Sequence, residues 1–248
     1  MRRRIAGGGV ATMLALLPFT ATPASTVTPA STVTLASTVT LASTVTPSPR
    51  PGPGDVPVLL VPGWLDTGRD LAALRIRLLG AGWPSDWVET VTFAEPTGSN
   101  RDHADELAVA IGGLMARTGA EEVDVVAHSM GGLATRWYLR SMETPPVRRV
   151  VFMASPHRGT LSAHLAWGGG REEMMPDSPF LDTLNAEAPS PSGVEAMTIR
   201  TRVDTHIVPG ESATLPGVED HELCCPTHAG LLRDEEAFRL ILRFLERE

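Results

Sequence analysis

Val123-Asp-Val-Val-Ala-His-Ser-Met-Gly-Gly-Leu-Ala-Thr-Arg-Trp-Tyr-Leu139 is the stretch of this 248-residue chain that decides its fold. Val123 to Ala127 reads as a strand. A helix is expected from about Met130 to Ser141, and Ser129 falls at the junction between the two. A serine there sits on a sharp turn that lifts its hydroxyl above the sheet. Small residues two places before and after it, Ala127 and Gly131, let strand and helix approach closely, so the G-x-S-x-G pattern is written here as A-x-S-x-G. The plainer reading of Ser129 is a helix N-cap, but the preceding strand and the following glycines favour the turn.

Outward from this junction, strands and helices alternate. Val56 to Val61 reads as a buried strand closed by Pro62-Gly63, followed by a helix near Asp70 to Leu79 and a strand at Val88 to Phe93. Leu107, Ile111, Leu114 and Met115 recur at helical spacing behind a capping stretch at Ser99 to Asp102. Strands at Val147 to Ala154 and Met197 to Val203 follow, and Phe238, Ile241, Leu242 and Leu245 mark a closing helix. This alternation implies right-handed crossovers and a mostly parallel sheet covered on both faces. In such sheets the chemistry sits beyond the carboxyl ends of the strands. Some forty residues from Ser155 to Glu195 separate two strands, enough to cap the site or merely to hold a helix near Phe180 to Leu184.

The AHSMGG motif at Ala127 to Gly132 resembles that of the small bacterial secreted lipases and esterases of the α/β-hydrolase superfamily, the compact lidless kind included. Three further motifs extend the resemblance over most of Val56 to Glu248. They are VPGW at Val61 to Trp64, ASPHRGT at Ala154 to Thr160, and DTHIVPGESA from Asp204 followed by THAGLL from Thr227. The resemblance implies an α/β-hydrolase fold with a minimal lid or none, and carboxylic ester hydrolysis with no cofactor or metal.

Such chemistry needs a base to take the serine proton and an acid to orient it, in the chain order Ser, Asp or Glu, His. Among seven histidines, His103 and His128 come before the serine or too close to it, and His157 and His164 precede every late strand. His206, His221 and His228 remain; His228 lies just ahead of the closing helix and matches the family's histidine position. Asp204 follows the strand ending at Val203 and matches the family's aspartate, with Asp220 and Asp177 as rivals. Charge on the substrate oxygen would meet the backbone N–H of Met130 and one from the first loop, Trp64, with Leu65 as the other choice. Relatives often carry His-Gly in that loop, where this chain has Pro62-Gly63.

Composition sets the surroundings. All 21 basic residues are arginine, and with 29 acidic residues the formal net charge is −8. Nucleic acid is an unsuitable partner, since phosphate neutralisation needs a basic face. A monomer acting on lipid or ester substrate, at a lipid–water interface or in solution, is the expectation. Met1-Arg-Arg-Arg followed by an apolar run and small residues near Ala24 has the layout of a secretory signal peptide, residues 1–24. Gly7 to Gly9 and Pro18 break that run short of the ~20 apolar residues that a stable membrane span needs. Residues 25–54 form a linker in which ASTVT, starting at Ala24, Ala30, Ala36 and Ala42, is written four times, too polar to form a core. The hydrolase domain is assigned to 55–248. Secretion follows, with the linker as a passive spacer or a glycosylated wall stalk. The adjacent Cys224 and Cys225 offer no long-range staple. As H-x-x-C-C-x-x-H with His221 and His228 they make a poor zinc pattern, because adjacent cysteines rarely serve one tetrahedral site. Other uses of the same residues are a polyester depolymerase, a thioesterase, an acyltransferase, or a silent wall-associated binding protein.

Overall fold

The computed structural model describes residues 56–247 except Glu187 and Pro191; the expected signal peptide and the linker up to Gly54 lie outside the described residues. Six strands form one sheet, β1 (Val58–Val61), β2 (Val88–Thr90), β3 (Val123–His128), β4 (Val147–Met153), β5 (Glu195–Thr201) and β6 (Glu219–Leu223). Their order is β2-β1-β3-β4-β5-β6 and every neighbouring pair is parallel. The helices are α1 (Ala72–Gly80), α2 (Asn100–Thr118), α3 (Gly131–Arg140), α4 (Gly169–Met174), α5 (Pro179–Asn185) and α6 (Glu235–Leu245).

β1, β3 and most of β4 are buried on both faces, which is why they read as mostly apolar, with Asp124 of β3 paired to Arg148 of β4. Alternate residues serve opposite cores. Val58 and Leu60 face Leu74 and Leu78 of α1 and Ile241 and Phe244 of α6. Leu59 and Val61 face Leu107, Ile111 and Leu114 of α2. The central line of α6 is Ala237, Leu240, Ile241, Phe244 and Leu245, with Phe238 and Leu242 only half-buried at its margins. A third cluster joins Met130 and Leu133 of the β3–α3 junction to Met174 of α4 and Phe180, Leu181 and Leu184 of α5.

The strand expected at Val88 to Phe93 ends at Thr90, and that expected at Met197 to Val203 runs from Glu195 to Thr201. β6 was not expected at all. Its sequence, Glu-Asp-His-Glu-Leu, is mostly charged because it is an edge strand, and its acids pair with arginines in and just after β5: Arg200 with Asp220 and Glu222, Arg202 with Glu222. The segment between β4 and β5 holds a 3₁₀ turn at Leu161–Leu165 and then α4 and α5. Both helices are seated on the core by buried side chains.

Candidate active site

β1, β3 and β5 deliver three loops to the carboxyl edge of the sheet. After β3, Ser129 adopts a left-handed backbone with φ 53°, a conformation that costs a non-glycine residue about 1–3 kcal/mol and persists only where its surroundings impose it. A Cβ on Gly131 would fall on the carbonyl oxygen of Pro62, and one on Gly132 on the side chain of Ser155. The two glycines therefore answer to close packing of α3 on the first loop and on the segment after β4. Ser129 is largely buried, with 8% exposure, and its N–H is fixed by Met153 O at 2.8 Å.

After β5, the structure brings Asp204 to His228. Asp204 Oδ2 lies 2.9 Å from His228 Nδ1, while Oδ1 accepts the backbone N–H groups of His206 (2.8 Å) and Ile207 (2.9 Å). A carboxylate accepting at Nδ1 selects the tautomer whose lone pair is on Nε2. Burial pushes the Asp204 carboxyl up, but the His228 bond and charge and the two amides override it, so its pKa lies below the usual 3.8. Burial lowers His228 below 6.5; the Asp204 hydrogen bond and charge oppose this, while the charges of His128 and His206 add to it. Both directions describe a neutral imidazole beside an anionic carboxylate, the form a general base needs.

Ser129 and His228 adjoin the same side chain, His128. A Cβ on Gly63 would lie 2.8 Å from Ser129 Cβ and 3.4 Å from His128 Nδ1, and the His128 and His228 rings are 4.7 Å apart. On its other side His228 is stacked by His206, at 4.7 Å and 22°. The catalytic candidate is thus one of three packed imidazoles, and His206, a rival for the base, stands against it rather than in its place.

In the first loop, Leu65 N–H is engaged by Pro96 O at 3.2 Å and Asp66 N–H by Gly63 O at 3.2 Å. Leu65 is thereby removed from the choice of oxyanion donors. Among the described residues no hydrogen bond engages the N–H of Trp64 or of Met130. Met130 is fully buried at the start of α3. The remaining rivals are occupied elsewhere. Asp220 of β6 accepts from Thr198 Oγ1 and Arg200 Nε of β5, and His221 pairs with Glu219 at 2.7 Å. Asp177 is exposed in a turn after α4.

Asp204, His206 and His228 place potential ligand atoms within 4.8 Å of one another. They make a poor metal set, because both Asp204 oxygens already accept N–H bonds and three ligands fall short of the four of a closed tetrahedral site. Cys224 and Cys225 are joined to each other in a disulfide, which takes both thiolates out of the H-x-x-C-C-x-x-H pattern.

The profile of the alpha/beta hydrolase fold matches residues 56–194. The chain belongs to the alpha/beta hydrolase family. Solved structures similar to this hydrolase include the lin2722 gene product of Listeria innocua, at 18% identity and a TM-score of 0.61, with 78% of this chain and 94% of that one covered. Bacillus licheniformis lipase BlEst2 in its mature form follows at 15% identity and 0.64, covering 79% and 94%. Aspergillus fumigatus lipase B gives 21% and 0.65 over 79% of this chain, which spans about half (54%) of that lipase. At these identities the likeness is one of fold. Sequence reasoning missed Asp66 and His128, because their contact joins residues 62 positions apart and no local pattern encodes it.

Proposed function

We propose that this hydrolase is an exported serine carboxylic ester hydrolase acting on acylglycerols or similar lipid esters. The observation that carries the reading is the left-handed Ser129 beyond β3, next in the chain to the His128 ring that packs on a His228–Asp204 pair bonded at 2.9 Å. Ser129 Oγ attacks the ester carbonyl as His228 Nε2 takes its proton. The Met130 and Trp64 amides receive the developing oxyanion, and Asp204 stabilises the imidazolium. Collapse expels the alcohol with the proton from His228, leaving an acyl-Ser129 ester. A water molecule, deprotonated by the same imidazole, then releases the acid and restores the serine.

Two features support a lipid ester. Exposed apolar side chains gather on the loops around the serine, among them Leu65, Leu161, Leu165, Trp167, Val203 and Val208. Two of the structural neighbours are named as lipases. Export rests on the N-terminal sequence alone, and among the described residues no helix is long and apolar enough to cross a membrane. Ser129→Ala is expected to lose at least about 10³-fold in kcat on a chromogenic ester and to escape labelling by a fluorophosphonate probe that marks Ser129 in the native chain. A Ser129→Ala chain that keeps its esterase activity overturns the proposal.

A further inference from the structure

His128 immediately precedes the serine and is 1% exposed, yet the ester hydrolysis proposed above gives it no role. Its two ring nitrogens reach in opposite directions. Nδ1 meets Asp66 Oδ2 of the first loop at 3.3 Å, and Nε2 meets the backbone carbonyl of His228 at 3.3 Å. Both partners are acceptors, so the ring donates at both positions when both contacts are made. The Asp66 carboxylate is the charged partner that faces the buried ring. Burial pushes that carboxyl up, but the His128 bond, the charges of His128 and His228 and the Gly63 amide prevail, so Asp66 lies below the usual 3.8.

We infer that Asp66 and His128 are positioning residues for the base. Asp66 fixes the His128 ring, and His128 Nε2–H holds the His228 peptide so that its imidazole is presented to Ser129. Three segments that the reaction must keep in register thereby meet at one side chain. They are the first loop, which carries Trp64 and Asp66; the turn, which carries Ser129; and the loop that carries His228. The contacts are at the long end of hydrogen-bond range, but they act at the backbone of the base, where a displacement of about 1 Å is enough to cost of order 10²-fold in rate.

This inference rests on the reading of Ser129, His228 and Asp204 as a triad, and the tests separate the two. Glutamine at position 128 sets its amide N–H where Nε2 was, and asparagine sets its amide where Nδ1 was. His128→Gln therefore keeps the donor to the His228 carbonyl, whereas His128→Asn keeps only the Asp66 side and His128→Phe keeps neither. On a soluble p-nitrophenyl ester, His128→Gln, which keeps the His228 contact and gives up the Asp66 one, is expected to lose no more than Asp66→Ala does, about threefold in kcat. His128→Asn and His128→Phe are expected to lose about tenfold or more, with KM within about twofold. Asp66→Ala lowers kcat in the native background but adds nothing in the His128→Phe background, as required of two members of one chain of contacts. The charged and titratable groups facing His228 are Asp204, His128, His206 and, through His128, Asp66. His128 is one of the neighbours that lower His228, so His128→Phe moves the acid limb of kcat to higher pH, which a purely structural loss does not do. Fluorophosphonate labelling of the variants to completion shows that they are folded. Equal losses in His128→Gln and His128→Asn, or native kcat in His128→Phe, overturn the inference. An active Ser129→Ala chain instead overturns the triad itself.

Discussion

In the proposed mechanism His228 has to be neutral to accept a proton, and its surroundings favour that state. Burial and the two flanking imidazoles lower its pKa below 6.5, against the pull of Asp204. Because the neutral form is the active one, activity is lost as pH falls through the folded-state pKa. The acid limb of kcat/KM on a soluble ester should therefore have its midpoint below pH 6.5, and a midpoint above that value contradicts a buried neutral base. Asp204→Asn deletes the interaction that holds the pKa up, so the midpoint moves further down, while kcat drops about 10³–10⁴-fold as the imidazole loses its tautomer and orientation. A pH–rate profile of both proteins checks the two effects together. The places of Ser129, Asp204 and His228 at the ends of their elements are legible in the sequence because each follows or precedes an element whose apolar pattern is strong. Trp64 and Leu65 were not separable until the N–H of Leu65 was seen on Pro96 O, since sequence records no hydrogen-bond partners.

The same contrast holds among the elements. β1, β3, β4 and α2 announce themselves because they bury continuous or periodic apolar surface. β6 does not, because its stability comes from ladder bonds to β5 and from cross-strand arginines. α4 is only six residues long, Gly-Gly-Arg-Glu-Glu-Met, with too little intrinsic helix stability to be read from its sequence. A buried acid holds it. Glu173 accepts from Ser99 Oγ at 2.8 Å, from the N–H of Asn100 at 2.5 Å and its Nδ2 at 2.9 Å, and from Arg101 Nη1 at 2.8 Å. A carboxylate at the first turn of α2 also meets the positive end of that helix. The half-exposed Arg101 adds little, whereas Ser99 and Asn100 are donors left without an acceptor if Glu173 is removed. Glu173→Ala is therefore expected to cost about 2–4 kcal/mol, read as a lower Tm. It should also expose residues 161–185 to limited proteolysis before the sheet unfolds. α4 packs Gly170 against Met130, so kcat/KM on a soluble ester should fall too; an unchanged proteolysis pattern counts against Glu173 as the tether.

At the scale of the whole molecule, the distribution of exposed apolar residues is uneven. Of the large apolar side chains that are exposed among the described residues, Leu65, Leu161, Leu165, Trp167, Val203 and Val208 lie on loops at the carboxyl edge of the sheet. The loops are tied together: Trp64 Nε1 donates to Trp167 O at 3.1 Å, and Leu161 N–H to Val208 O at 2.8 Å. Apolar side chains clustered at the mouth of a site mark a surface that meets something apolar. The chain carries a net charge of −8, so attraction to an anionic surface contributes nothing and adsorption has to come from apolar burial. Full burial of a leucine is worth about 1.5–3 kcal/mol. Leu165 is 85% and Leu161 54% exposed, so most of that is available to a condensed lipid phase and little of it is used in the folded chain. The double change Leu161→Ser with Leu165→Ser is expected to leave kcat/KM on a soluble short-chain ester within about twofold and to lower the rate on an emulsified triacylglycerol by about tenfold or more. Equal losses on both substrates would mean that these leucines support the fold and not the interface. An unchanged rate on the emulsion would mean that the substrate is met one molecule at a time, and would favour a soluble ester over a lipid phase.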